Sequence, residues 1–127
     1  VLEHIEDDLR EIQEIEKKLN EGGYLVIMVP RHQKLYSTFD KSIGHFRRYE
    51  LSFFKNNLFN LNRQFLKSLD SFGYLLYFLN KLFFKNKKFP SKFKIFVWDK
   101  IFTPFSILID FITNYKIGKC IVTVYRK

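Results

Sequence analysis

The run Tyr24-Leu25-Val26-Ile27-Met28-Val29 constrains this chain more than any other stretch. It stands between Gly22-Gly23 and Pro30. Hydrophobicity that is continuous, not alternating, is the pattern of a strand buried on both faces, as in a parallel sheet covered by helices. Ahead of it, Leu9, Ile12, Ile15 and Leu19 mark one face of an amphipathic helix. Asp7 and Asp8 offer a helix cap, and Asp8 with Glu11 has the spacing of a capping box. Acids lead this helix and Lys17 and Lys18 trail it, as the helix dipole favours. The paired glycines then end it.

Downstream, residues 31–49 are polar and show no period. A connection of ~19 residues is longer than most, and such loops are often functional. Leu51, Phe54, Leu58 and Leu61 predict a helix over 50–61, and 63–69 reads as a short strand. Residues 71–84 are aromatic-rich and read as helical. A basic loop surrounds Pro90, and a broken helical stretch runs over 94–115, interrupted at Pro104. Val and Ile dominate a final strand over 120–126. The order is α/β in outline.

A chain of 127 residues with 46% hydrophobic and 28% charged residues suits one modest globular domain. The longest unbroken apolar runs, 24–29 and 74–79, are far short of the ~20 residues of a spanning helix. The opening residues do not read as a secretory leader, and the single Cys120 excludes an internal disulfide. Cytoplasmic placement is therefore expected, and Cys120 is read as packing. The net charge of +9 is divided unevenly. Residues 1–21 hold eight acids against three bases, and the remainder holds five acids against nineteen bases. Such asymmetry points either to an anionic partner for the later part or to a solvated, lysine-rich surface.

The segments VLEHIEDD, EGGYLVIMVP and LYSTFDKSIGHFRRY, in that order, resemble the second half of class I S-adenosylmethionine-dependent methyltransferases. In that family an LEHI-type segment follows the fourth strand, and a Gly-Gly turn leads into the fifth. The segment around GHFRRY is similar to one found after strand five in enzymes acting on small-molecule and lipid- or sugar-linked acceptors. The resemblance implies a C-terminal part of a Rossmann-like sheet, with strands five, six and seven, flanking helices and an antiparallel last strand. Residues 1–127 would then form a single partial domain carrying a helical, aromatic-rich insertion at about 71–115. The family's glycine-rich cofactor turn after strand one is missing, as is the acidic residue ending strand two. Most of the S-adenosylmethionine site is thus expected to lie upstream of Val1. The isolated chain is expected to be inactive, to bind the cofactor weakly and to self-associate through its uncovered strand.

The resemblance places Leu2, Glu3 and His4 beside the methionine end of the cofactor, and Pro30, Gly44, His45, Arg47, Arg48 and Tyr49 at the rim of the acceptor pocket. The residue types suit those places. Guanidinium pairs with carboxylate or phosphate in bidentate fashion. Imidazole near neutrality can take a proton from an acceptor hydroxyl, which makes His45 the candidate base. Gly44 permits tight backbone. A structural reading stands beside this one: His4 caps a helix, an arginine pairs with Asp40 or Glu50, and Tyr49 packs at a helix start. His4, His32 and His45 lack metal-site spacing, so no metal is expected.

Two further readings concern partners. Aromatics beside Lys81, Lys85, Lys87, Lys88, Lys92 and Lys94 suit either peripheral contact with an anionic bilayer or a helical cover over the acceptor pocket. The rival to the enzyme is a basic module, membrane-peripheral or nucleic-acid-binding, without catalysis. Nucleic acid fits less well, because the bases of GHFRRY are confined to one loop and not spread along an element.

Overall fold

The computed structural model describes residues 1–55, 60–83 and 96–127, with the side chains of 79–83 and of Trp98 left aside. Leu58 and the basic loop around Pro90, with Lys85, Lys87, Lys88, Lys92 and Lys94, lie outside the described residues. The chain falls into two compact units, Val1–Lys67 with Ile121–Lys127, and Ser68–Cys120.

The first unit begins with a 3₁₀ turn, Leu2–His4, and helix α1, Asp8–Lys18. Asp7, and not Asp8, is the N-cap: its carboxylate accepts the Arg10 N–H at 3.1 Å. Asp8 is the first helical residue and is buried. Its place on the inward face turns Leu9, expected in the core, towards solvent. The buried stripe accordingly centres on Asp8 and Ile12. At the other end, Lys127 Nζ donates to the carbonyls of Leu19 (2.8 Å) and Glu16 (3.1 Å), occupying acceptors that a helix end leaves orphaned.

Gly22, at φ +76°, turns the chain into β1, Tyr24–Pro30. Strands β2, Asn62–Leu69, and β3, Cys120–Arg126, complete an open three-stranded sheet of order β1-β3-β2. The last strand is antiparallel to both neighbours, as expected, so β1 and β2 run the same way. The amide of Gly22 donates to the Lys127 carbonyl at 3.2 Å and the Lys127 amide to the Gly23 carbonyl at 3.1 Å, fixing the β1–β3 register. Along β3, Ile121, Thr123 and Tyr125 point into the core. Thr123 is fully buried and its hydroxyl donates to the Phe65 carbonyl of β2 at 2.9 Å.

The double burial expected of β1 is not what the structure has. Ile27 and Val29 are buried, but Tyr24, Val26 and Met28 are 59%, 63% and 60% exposed. Strand β1 is an edge, and within the described residues no layer covers its second face. An apolar cleft of about 180 Å³ opens between residues 1–5, α1 and Leu25–Met28.

The core of this unit joins Leu2, Ile12, Ile27, Val29, Tyr49 and Phe54 to Ile121 and Tyr125. Phe54 belongs to helix α3, Leu51–Lys55, and is fully buried. The rings of Tyr49, Phe53 and Phe54 stack in edge-on and tilted pairs, with centroids 4.9–5.6 Å apart. The helix expected over 50–61 ends before Asn60, and Leu61 enters the core from the approach to β2. Residues 31–49 are not without structure. They hold a 3₁₀ turn, Gln33–Leu35, and helix α2, Thr38–Ser42.

The second unit contains helix α4, Ser71–Phe83, a π-helical turn, Trp98–Phe102, and helix α5, Thr103–Ile112. Its interior is a polar cap. Asp70 accepts the Gly73 N–H at 2.9 Å and the Ser106 hydroxyl at 2.7 Å, and pairs with Lys119 at 2.8 Å. Asp110, buried on α5, accepts the N–H groups of Asp70 and Ser71, both at 2.8 Å. Two carboxylates thus satisfy the first amides of α4, one local and one from another helix. Helix α5 pays for this with an inverted pattern: Ser106 and Asp110 face inward while Phe105, Ile107, Leu108, Phe111 and Ile112 are exposed.

Candidate functional site

The sequence segments singled out at either end of residues 1–50 meet beside the carboxyl end of β1. Tyr49 forms an isolated parallel bridge with Arg31, its amide donating to the Pro30 carbonyl and its carbonyl accepting the His32 amide, both at 2.9 Å. Three residues earlier, the Phe46 amide donates to the Glu3 carbonyl at 2.7 Å. GHFRRYE is therefore clamped between the strand exit and the opening 3₁₀ turn.

Helix α2 supplies the anchor of this segment. Asp40 is fully buried. One carboxylate oxygen accepts the amide and hydroxyl of Ser37, at 2.9 and 2.8 Å, as a helix-capping carboxylate does. The other accepts Arg48 Nε and Nη2, each at 2.8 Å, and lies 3.1 Å from His45 Nδ1. Burial works to raise the Asp40 carboxyl, but the hydrogen bonds from Ser37 and the charge of Arg48 outweigh it and hold the group below the usual carboxylate range. Since an ionised carboxylate only accepts, His45 Nδ1 is the donor, and in the neutral ring Nε2 carries the lone pair.

His45 Nε2 faces Glu3 Oε1 at 3.8 Å, and His4 Nε2 faces the same oxygen at 3.8 Å. The two imidazoles meet edge to face with centroids 4.6 Å apart. His4 Nδ1 lies 3.1 Å from the Gly44 carbonyl, which fixes it as the donor and leaves Nε2 bare in the neutral ring. Gly44 sits at φ +82°, a conformation glycine adopts without strain. For Glu3, burial again opposes ionisation. Hydrogen bonds from the Val1 nitrogen, at 2.9 Å, and from a backbone N–H lower its pKa nonetheless. Among the described residues, Glu3, His4 and His45 are the group whose donor atoms could share a metal ion, all lying within 4.8 Å of one another.

The two arginines have protein partners. Arg48 is buried against Asp40. Arg47 pairs with Asp8 at 2.7 Å and donates to the Glu6 carbonyl at 2.6 Å; the Asp8 hydrogen bond raises its pKa. Tyr49 donates to Asp8 at 2.7 Å, and burial first, then Asp8, raises its phenol. Leu2 is turned into the core, and Pro30 contributes its carbonyl to Tyr49. So the expected site residues do converge. Glu3, His4 and His45 present side-chain donor atoms to one another, while Arg47, Arg48 and Tyr49 brace the loop that carries them. Three bracing residues escaped the sequence reading: Gln33, whose side chain accepts the Arg48 amide at 2.8 Å; Tyr36, which donates to the His45 carbonyl at 2.6 Å; and Ser37. The Ser37-x-x-Asp40 spacing was the legible signal for the last of these.

No known family model matches the chain, and no curated protein matches it.

Proposed function

We propose that this chain is the carboxy-terminal part of a class I methyltransferase that moves a methyl group from S-adenosylmethionine to a small-molecule or lipid- or sugar-linked acceptor. The observation that carries the reading is the meeting of the LEH and GHFRRY segments at the carboxyl end of β1, because ligands of open α/β sheets bind beyond the carboxyl ends of the strands. The inserted antiparallel β3 and the bare outer face of β1 support it: a strand with an apolar second face suits a larger sheet. Residues 1–4 supply one wall for the cofactor, chiefly through Glu3 and His4, and the glycine-rich cradle would come from upstream. The sulfonium of the cofactor arrives activated, so the protein's task is mainly alignment. His45, held by Asp40 with Nε2 bare, is placed to take a proton from an acceptor hydroxyl.

The test is the longer reading frame that includes this chain. A strand followed by a glycine-rich turn is expected within ~100 residues upstream of Val1. The longer protein should bind S-adenosylmethionine by calorimetry, and His45→Ala should lower kcat about 10²–10⁴-fold with cofactor affinity kept. A reading frame without that turn, or a longer protein blind to the cofactor, removes the reading.

A second reading, a basic membrane-peripheral module, draws on α5. An outward row of Phe105, Ile107, Leu108, Phe111 and Ile112 on a strongly basic chain suits an anionic bilayer surface. No helix among the described residues is long and apolar enough to cross a membrane. Co-sedimentation with phosphatidylserine vesicles is expected to hold at low salt and to weaken at high salt. Phe111→Ser with Ile112→Ser should abolish it, and no pelleting at low salt would discard the idea.

A further inference from the structure

We propose that Glu3, His4 and His45 form a binding site for a zinc-class divalent cation. The inference stands on side-chain geometry and does not depend on the methyltransferase reading. Two imidazole nitrogens and one carboxylate oxygen are a recognised ligand set for zinc and for non-haem ferrous iron, with further positions open to solvent. Here all three donors lie close together, within 4.8 Å of one another. Glu3 Oε1 lies 3.8 Å from the Nε2 of each histidine. Zinc–ligand bonds of about 2.0–2.2 Å put tetrahedral ligand atoms roughly 3.3 Å apart. The donors, all within 4.8 Å of one another, therefore need to draw in by about 1 Å or less at Glu3, and somewhat more between the rings.

The surroundings are those a metal site requires. A ligating histidine almost always donates its other ring N–H to a carboxylate or backbone carbonyl, which fixes the tautomer and makes the ligand more basic. Both kinds occur here. His45 Nδ1 faces the Asp40 carboxylate and His4 Nδ1 faces the Gly44 carbonyl, each at 3.1 Å. Asp40 is in turn locked by Ser37 and Arg48. The pairing leaves each Nε2 on the Glu3 side of its ring, 3.8 Å from the same carboxylate oxygen. Burial adds the shape of an open-faced site. The side chains of Glu3 and His45 are 13% and 12% exposed, whereas that of His4 is 45% exposed, so a cation enters from the His4 side and keeps coordination positions for water. Arg47 and Arg48 turn to Asp8 and Asp40, and the Val1 nitrogen lies 2.9 Å from Glu3 Oε2, leaving Oε1 to face the histidines. A cation here makes His45 a ligand and so removes it as a base, which separates the two roles.

The measurement is a zinc titration of the 127-residue chain in competition with a chromophoric chelator, after stripping with EDTA. One equivalent of Zn²⁺ per chain is expected. Replacing a partner that only orients a ligand costs roughly 10–100-fold in affinity. Loss of a ligand should exceed that, so His4→Ala and Glu3→Gln should each weaken binding by about 100-fold or more. His4 is the exposed member, so circular dichroism of His4→Ala should match the parent. Should His45→Ala disturb the fold, Co²⁺ substitution supplies a second readout: the parent should develop visible d–d bands that His4→Ala lacks. Unchanged zinc affinity in His4→Ala, or no stoichiometric binding by the parent, overturns the site. Zinc binding is scored without S-adenosylmethionine, so it survives a failure of the methyl-transfer reading and can fail while that reading stands.

Discussion

Asp40→Ala is expected to lower the unfolding free energy by about 3–5 kcal/mol, the usual cost of removing one partner from a buried ion pair. Asp40 is fully buried, and its partners Arg48 and His45 are nearly so. Without the carboxylate, the Arg48 guanidinium stays buried without its counter-charge and the Ser37 amide loses its acceptor. Urea denaturation measures the loss. Adding Arg48→Met should recover a large part of it, because the uncompensated charge goes too. An Asp40→Ala chain as stable as the parent would mean that this network does not hold the loop.

The same carboxylate gives the stability a pH dependence of definite sign. The folded-state pKa of Asp40 lies below its unfolded value, and so does that of Asp70, where burial is outweighed by Lys119, Ser106 and the Gly73 N–H. Such groups contribute fully above the unfolded value of about 4 and lose their contribution as pH falls through the lower folded value. Denaturation midpoints should therefore be flat from neutrality down to about pH 5 as far as these two groups decide, and should fall below about pH 4. Asp40→Asn should flatten part of that acid limb.

Gly118→Ala is the second large effect. A Cβ built on Gly118 would lie 2.3 Å from the Leu69 carbonyl oxygen and 2.6–2.7 Å from its carbonyl carbon and amide nitrogen. These are backbone atoms at the end of β2, and no side-chain rotation clears them. The overpacking is expected to cost about 1–3 kcal/mol, towards the upper end because the obstruction is main chain. Gly44→Ala serves as the contrast. Its Cβ would meet only His4 Nδ1, at 3.5 Å, and the cost there is that of a positive φ, about 1–2 kcal/mol. Equal stability of Gly118→Ala and the parent would contradict the close approach of these two segments.

Much of the local structure was legible because it is written in short-range terms. The apolar run at 24–29 and the Val/Ile-rich run at 120–126 named their strands, and the paired glycines named the turn between α1 and β1. The misreadings share one cause. Asp7 and Asp8 were both read as caps because each is an acid before an apolar stripe; the fold keeps Asp7 as the cap and buries Asp8, since Arg47 and Tyr49, some forty residues on, satisfy its carboxylate. Helix α2 was passed over because five residues are too few to show a period, although Ser37 and Asp40 carried the cap signal. The outer face of β1 was read as covered because periodicity reports that a face is apolar, not what lies upon it.

The candidate site shows the same division more sharply. The sequence by itself determined that GHFRRYE is a tight polar cluster after a strand, and that LEH precedes a helix. Only the tertiary structure decided what those residues face. It paired both arginines with Asp8 and Asp40 and brought donor atoms of Glu3, His4 and His45 within 4.8 Å of one another. Linear spacing could not announce this, because residues forty positions apart are joined by the Phe46–Glu3 and Tyr49–Pro30 backbone hydrogen bonds, and such contacts leave no period in a chain.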